Sequence, residues 1–207
     1  MGTDIHGVFQ KRELGRWVDV PTKYSFDRHY QLFAVLAGVR NGVGFTGVPT
    51  GDSVVPISEP RGLPVDFSID DKNDHPVASM EMLPDWSRKY AKNQELWMGD
   101  HSHSWLSGEE MLAWWQVAPQ VTQVGVLSRE EYGQWNGWSK PSSYCGGVSG
   151  PNVVVVNERE MGSRPDWNYV SVSWRIELRD ELAYFFDEVA RLVDQHGEIR
   201  FVFGFDS

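Results

Sequence analysis

The sequence predicts an α+β fold, and three stretches carry that reading. Tyr169 to Leu178 alternates, with Val170, Val172, Trp174, Ile176 and Leu178 set against Ser171, Ser173, Arg175 and Glu177, the period of a half-buried strand. Asp180 to His196 repeats Leu182, Phe185, Phe186, Val189 and Leu192 at helical spacing and is stopped by Gly197. Asp4 to Arg12 and Trp17 to Val20 flank Glu13-Leu14-Gly15-Arg16, a short polar joint suited to a β-hairpin. A chain of 207 residues fits a single domain spanning 1–207. A domain of that size buries roughly 70% of the surface its unfolded chain exposes, so it needs no covalent staples.

The remaining elements follow in order. In the first strand of the hairpin, Asp4, His6 and Val8 share one face, and Ile5, Gly7 and Phe9 share the other. A helix comes next: Asp27 is the expected N-cap, Tyr30, Phe33, Ala34 and Ala37 recur at helical spacing, and Asn41-Gly42 closes it. Arg28 then falls in the first turn, where the helix dipole disfavours it, and Arg40 in the last, where the dipole suits it. Residues 42–76 form a long loop broken by glycines and prolines, of the kind that serves as a lid, with Ile69 to His75 as its tip. Met80 to Lys92 reads as partly helical and is broken at Pro84. Ser107-Gly-Glu-Glu110 and Ser128 to Glu131 are capping boxes that open two helices, with a strand at Val121 to Leu127 between them. A Gly/Ser/Pro-rich loop, Asn136 to Pro151, leads to a short strand at Val153 to Val156. Ile199 to Phe205 is the final strand. The expected architecture is one mixed sheet with helices mainly on one face, ending in a strand-helix-strand unit that crosses over right-handed if both strands share the sheet.

Composition narrows the partners. A net charge of −10, with 19 Lys and Arg scattered among 29 acids, argues against duplex nucleic acid, while leaving room for a local basic pocket that takes one small anion. Cys145 is the only cysteine, which rules out an internal disulfide and a thiolate-rich zinc site and points to a reducing cytoplasm. Its neighbours supply no obvious base or cation to activate it. The opening Met1-Gly-Thr-Asp-Ile-His6 has the features of neither a signal peptide nor a myristoylation signal. Apolar runs fall far short of the ~20 residues that span a bilayer, so no membrane is expected.

Two histidine-bearing segments carry the candidate chemistry: Asp4-Ile-His6, and Asp100-His-Ser-His103 just before a helix. In extended backbone Asp4 and His6 point one way, as do His101 and His103. Brought together, Asp4, His6, His101 and His103 offer imidazoles and carboxylate for a divalent metal such as Zn²⁺, Mn²⁺ or Fe²⁺. Without metal the same four residues are candidates for acid–base catalysis on a phosphoester. Arg28, Arg40 and Arg61 are candidate ligand-binding cations, Arg61 being held between Pro60 and Pro64. Tyr30, Trp97 and Trp105 are candidates for stacking a base. The structural alternatives are histidines that satisfy buried backbone groups, and arginines that pair with acids such as Asp27, Glu59 or Asp66. Gly42-Val-Gly-Phe-Thr-Gly47 follows a helix and lacks the P-loop lysine, so it is not a nucleotide fingerprint.

Asp4-Ile-His-Gly7, Asp27-Arg-His-Tyr-Gln-Leu-Phe33 running to Val39-Arg-Asn-Gly42, Pro60-Arg-Gly-Leu-Pro64 with Asp66, His101-Ser-His-Ser-Trp105 and the ending Arg200-Phe-Val-Phe-Gly-Phe-Asp206 together resemble an uncharacterised family of bacteriophage and bacterial proteins. The family carries no established activity, so the resemblance implies a phage-like origin and a host-cytoplasm setting, and no mechanism. By analogy with phage accessory proteins that counter host defence, the expected function is recognition of a small phosphorylated or nucleotide-like ligand, with hydrolysis assisted by metal or histidine if the chain is an enzyme. The competing expectation is a non-catalytic binder: a sponge for a nucleotide signal, or an acidic inhibitor of a host protein.

Overall fold

The hairpin sets the register of the larger sheet. β1 (Asp4–Glu13) turns through Leu14 and Gly15 into β2 (Arg16–Val20). Both turn residues have positive φ, 47° and 82°, the mirror-image turn whose twist matches an antiparallel pair. The computed structural model describes residues 2–44, 47–67 and 98–206. The expectations for Ile69 to His75, Met80 to Lys92 and Trp97 lie outside the described residues.

Seven strands and five helices are formed among the described residues, confirming the α+β class. The strands fall into two sheets rather than one. β3 (His101–Ser107) and β7 (Ile199–Asp206) join the hairpin in a four-stranded sheet of order β2-β1-β7-β3, antiparallel throughout. β4 (Gln120–Ser128), β5 (Val155–Asn157) and β6 (Tyr169–Glu177) form a second sheet of order β4-β6-β5, in which β5 runs parallel to β6. The strand-helix-strand ending is present, but its strands β6 and β7 belong to different sheets, so the handedness rule for a crossover within one sheet does not apply. Alternation shows which face of β6 is buried and is silent on which strand lies beside it.

Helix α1 (Tyr30–Ala37) has six consecutive buried residues, Leu32 to Ala37, as expected of a helix enclosed on all sides. Phe33 meets Phe205 of the larger sheet edge-on at 5.1 Å, and Ala34 lines a narrow crevice with Val121 and Gln123 of β4. Its limits differ from expectation. His29, not Asp27, is the N-cap, and Gly38 at φ 70° ends the helix before Asn41-Gly42. Arg28 and Arg40 therefore flank the helix instead of sitting in its first and last turns. Asn41 has another use: its side-chain amide donates to the Val54 carbonyl and accepts from the Val54 N–H, clamping the long loop.

Ser107 and Ser128 both form their expected capping boxes, opening α2 (Gly108–Gln116) and α3 (Arg129–Gln134). Leu178 starts the short α4 (Leu178–Glu181), followed by α5 (Ala183–His196). Phe185 and Phe186 of α5 are fully buried, Phe185 packing on Phe9 and Phe201 while Trp114 and Trp115 of α2 stack on Phe186. Burial of each such side chain contributes about 1.5–3 kcal/mol. Helices thus cover one face of the larger sheet. On the other face, Val8 and Val202 meet Leu63, Phe67, Met98 and Trp105. Beside them runs a buried polar chain in which Gln10 donates to Asp19, and Arg200 donates to Gln10 and Asp66 while lying 4.3 Å from the Trp17 ring. No helix among the described residues is long and apolar enough to cross a membrane.

Candidate functional site

The start of the chain and the midpoint histidines reach the same end of one sheet, on either side of β7, because β1 and β3 both pair with β7. Asp4 lies opposite Asp206, His6 opposite Gly204, and His101 opposite Phe205. Asp206, which the sequence reading did not select, is the centre of the group. Its Oδ2 lies 3.3 Å from His6 Nε2, and its Oδ1 accepts the Asp4 N–H at 3.3 Å. Burial and the nearby Asp206 charge push the Asp100 carboxyl above its ordinary value. Asp206 was detectable in principle: Arg200, Val202, Gly204 and Asp206 alternate onto one face of the last strand, facing the Asp4 and His6 side of β1.

The expected alignment of His101 with His103 fails at one residue. Ser102 takes φ 52°, and the register against β7 shifts between His101 and Ser104, so β3 carries an extra residue there. His101 falls on the helix-covered face, its ring stacked 6.1 Å from Phe205, with Nδ1 3.0 Å from Ser102 Oγ. His103 falls on the opposite face, over Gly204, with Nε2 2.9 Å from the Gly99 carbonyl oxygen. Burial holds the His101 imidazole below its usual value. Both oxygens of Asp4 are engaged by Arg28. Among the described residues no group of three or more His, Cys, Asp or Glu side chains is arranged to hold a metal ion, so Asp4, His6, His101 and His103 do not form the expected ligand set. A bulge and an arginine divide it.

The arginines separate into two places. Arg28 grips Asp4 through Nε and Nη2 at 2.5 and 2.7 Å, which lowers the Asp4 carboxyl, and it comes within electrostatic range of Asp206 and Tyr30. Arg40 donates to Thr3 Oγ1 at 2.8 Å and lies 5.7 Å from the Tyr30 ring. Arg61 is elsewhere. It pairs with Glu110 at the start of α2 and lies 5.1 Å from the Trp105 ring. Its hydrogen bonds are the first cause that lowers the Glu110 carboxyl. Arg61 and Trp105 therefore tie the long loop to α2 and do not join the other candidates. Among the described residues Arg28 and Arg61 pair with Asp4 and Glu110, and Asp66 serves Arg200 and Arg12.

Beyond Arg28 opens a cleft of about 660 Å³, in the range of small-molecule sites. The approach to α1 supplies Arg28, His29, Tyr30 and Gln31; β4 supplies Gln123 and Val124; the loop before β5 supplies Lys140, Tyr144, Gly146 and Gly147; α4 supplies Glu181. Lys140 Nζ donates to Glu181 Oε1 at 2.6 Å. Tyr144 packs edge-on against Trp174, 40% exposed, and Gln123 accepts from Trp174 Nε1, so the floor is braced by the second sheet. His29, Lys140, Tyr144 and Glu181 were missed from sequence because their shared cleft arises from the packing of α1 against β4, which no local pattern records. Compared with protein-family models, curated proteins and solved structures, the chain matches none of them.

Proposed function

We propose that this chain binds a small phosphorylated or nucleotide-like anion in the cleft beside α1. The observation that carries the reading is the pairing in one concavity of two cations, Arg28 and Lys140, with two aromatic side chains, Tyr30 and Tyr144. A guanidinium grips phosphate through paired N–H groups, and a phenol ring offers a face for a base. The Arg28 side chain is 56% exposed and spends its Nε and Nη2 on Asp4, which fixes its orientation before any ligand arrives. In the phage-like setting implied by the sequence blocks, the ligand would be a nucleotide signal of the host.

A second reading, hydrolysis of the same ligand, draws on the His6–Asp206 pair beside Asp4, the residue that Arg28 holds. A carboxylate close to an imidazole, here 3.3 Å from His6 Nε2, is the usual neighbour of a histidine acid–base group. One experiment addresses both readings. Calorimetry with nucleoside mono- and diphosphates on wild type, Arg28→Ala and Lys140→Ala should show binding to wild type that weakens roughly tenfold or more in each variant, the loss of one charge-assisted contact. Heat release of the bound molecule then separates a binder, which returns it intact, from an enzyme, which returns a product. Equal affinity in all three proteins, with folding preserved, would remove the cleft from consideration.

A further inference from the structure

His29 occupies an unusual place for a histidine. It is the N-cap of α1, its Nδ1 accepting the Leu32 N–H at 3.4 Å, and it lines the cleft between the two ligand-facing residues Arg28 and Tyr30. A histidine caps a helix only through an imidazole nitrogen that bears a lone pair, so this role requires the neutral ring. The other ring nitrogen faces acid: Nε2 lies 3.9 Å from Glu181 Oε1, the oxygen that also receives Lys140 Nζ. Tyr184 of α5 packs against the ring at 5.6 Å, and Asp27 and Arg28 adjoin it along the chain. Burial holds the imidazole below its ordinary value, with Lys140 acting in the same direction and Glu181 against it.

We infer that His29 is a pH-sensitive positioning residue of the cleft: neutral, it caps α1 and fixes Arg28 and Tyr30; protonated, it loses Leu32 and turns to Glu181, competing with Lys140, so ligand is held at neutral pH and released in acid. This inference rests on the reading of the cleft as a ligand site. Both effects of protonation act on the same concavity. The cap that orders its rim is broken, and the ion pair that places Lys140 is shared.

The test uses the full chain and cyclic adenosine monophosphate as probe, because the single negative charge of a phosphodiester does not titrate across the range used. NMR follows the His29 ring and the Leu32 amide from pH 8 to pH 5, and probe affinity is measured in the same buffers for wild type, His29→Asn and His29→Ala. Asn caps a helix without titrating. In wild type the Leu32 amide should shift in step with the His29 ring, and affinity should fall about fivefold, the equivalent of one lost cap. In His29→Asn, Leu32 should be flat and affinity should not change with pH; His29→Ala should bind weakly throughout. The inference is overturned if Leu32 does not follow His29, or if His29→Asn keeps the wild-type pH dependence. Binding that is unchanged by pH sinks the inference alone. Absence of binding at every pH, with Leu32 still tracking His29, sinks the ligand reading and the inference together.

Discussion

Glu188 anchors the segment that leads to the cleft, and replacing it tests the account of how that segment is held. Its carboxylate is 7% exposed on α5. Oε1 accepts from Thr22 Oγ1 at 2.9 Å and from the Lys23 N–H at 2.8 Å, and Arg191 donates to both oxygens at 2.6 Å. Arg191 first, then the Lys23 N–H and the Thr22 hydroxyl, lower its carboxyl from 4.5 to about 2 against the opposing effect of burial. At 1.36 kcal/mol per unit, that difference corresponds to about 3 kcal/mol of stability at neutral pH. Glu188→Gln keeps an acceptor for Thr22 and Lys23 and loses the charge, so the expected loss at pH 7 is about 1–3 kcal/mol. For a chain of this size the melting temperature should fall by about 2–12 °C. The sign with pH follows from the lowered carboxyl. The stabilisation is complete above about 4.5, where the unfolded group is also ionised, and is lost as pH falls towards about 2. By pH 3 the unfolded chain has taken up the proton and the folded one has not, which removes about 2 kcal/mol. Urea unfolding of wild type and variant at pH 7, 5 and 3 is the assay. The gap between them should be wide at pH 7 and narrow at pH 3; a constant gap would refute the reasoning.

Two further outcomes follow from the site itself. Asp100 is raised by burial and by Asp206, so its ionised form weighs against the folded state at neutral pH, a penalty that grows as pH rises from the ordinary carboxylate range through the raised value. Asp100→Asn should melt higher than wild type at pH 7, with the difference shrinking as pH falls into that range; a lower melting temperature at pH 7 would contradict the assignment. At Gly204 a Cβ would overlap the Met98 carbonyl oxygen and come within 2.8 Å of His103 Cδ2. Gly204→Ala should cost about 1–3 kcal/mol and shift the NMR signals of Met98 and His103, while wild-type stability in the variant would show that the two segments do not cross there.

Much of the fold was legible because its signals are local. The capping boxes at Ser107 and Ser128, the turn at Leu14-Gly15 and the alternation of β6 each depend on residues a few positions apart, and each formed as expected. What failed depended on distant packing. Every residue of β7 from Ile199 to Phe205 is buried, which marks a central strand, yet nothing in its pattern says that it lies between β1 and β3 and away from β6. The site divides in the same way. Asp4 and His6 were correctly placed on one face because β1 is regular, whereas the bulge at Ser102 sent His101 and His103 apart. A polar residue taking positive φ inside a strand is set by the close passage of residues 98–100 over β7, where the Asp100 N–H donates to the Phe205 carbonyl at 2.6 Å. That is a tertiary cause. The same holds for His29, whose capping role replaced that of Asp27 at a helix start that its packing against β4 and the larger sheet determines.

The most direct test of the cleft is to map where adenosine monophosphate perturbs backbone amides in an NMR titration of the wild-type chain. Saturable shifts at Arg28 to Gln31, Gln123, Val124 and Tyr144 to Gly147, absent in Arg28→Ala, are the expected result. Saturable shifts confined to other surfaces, or no shift at millimolar nucleotide, would contradict it.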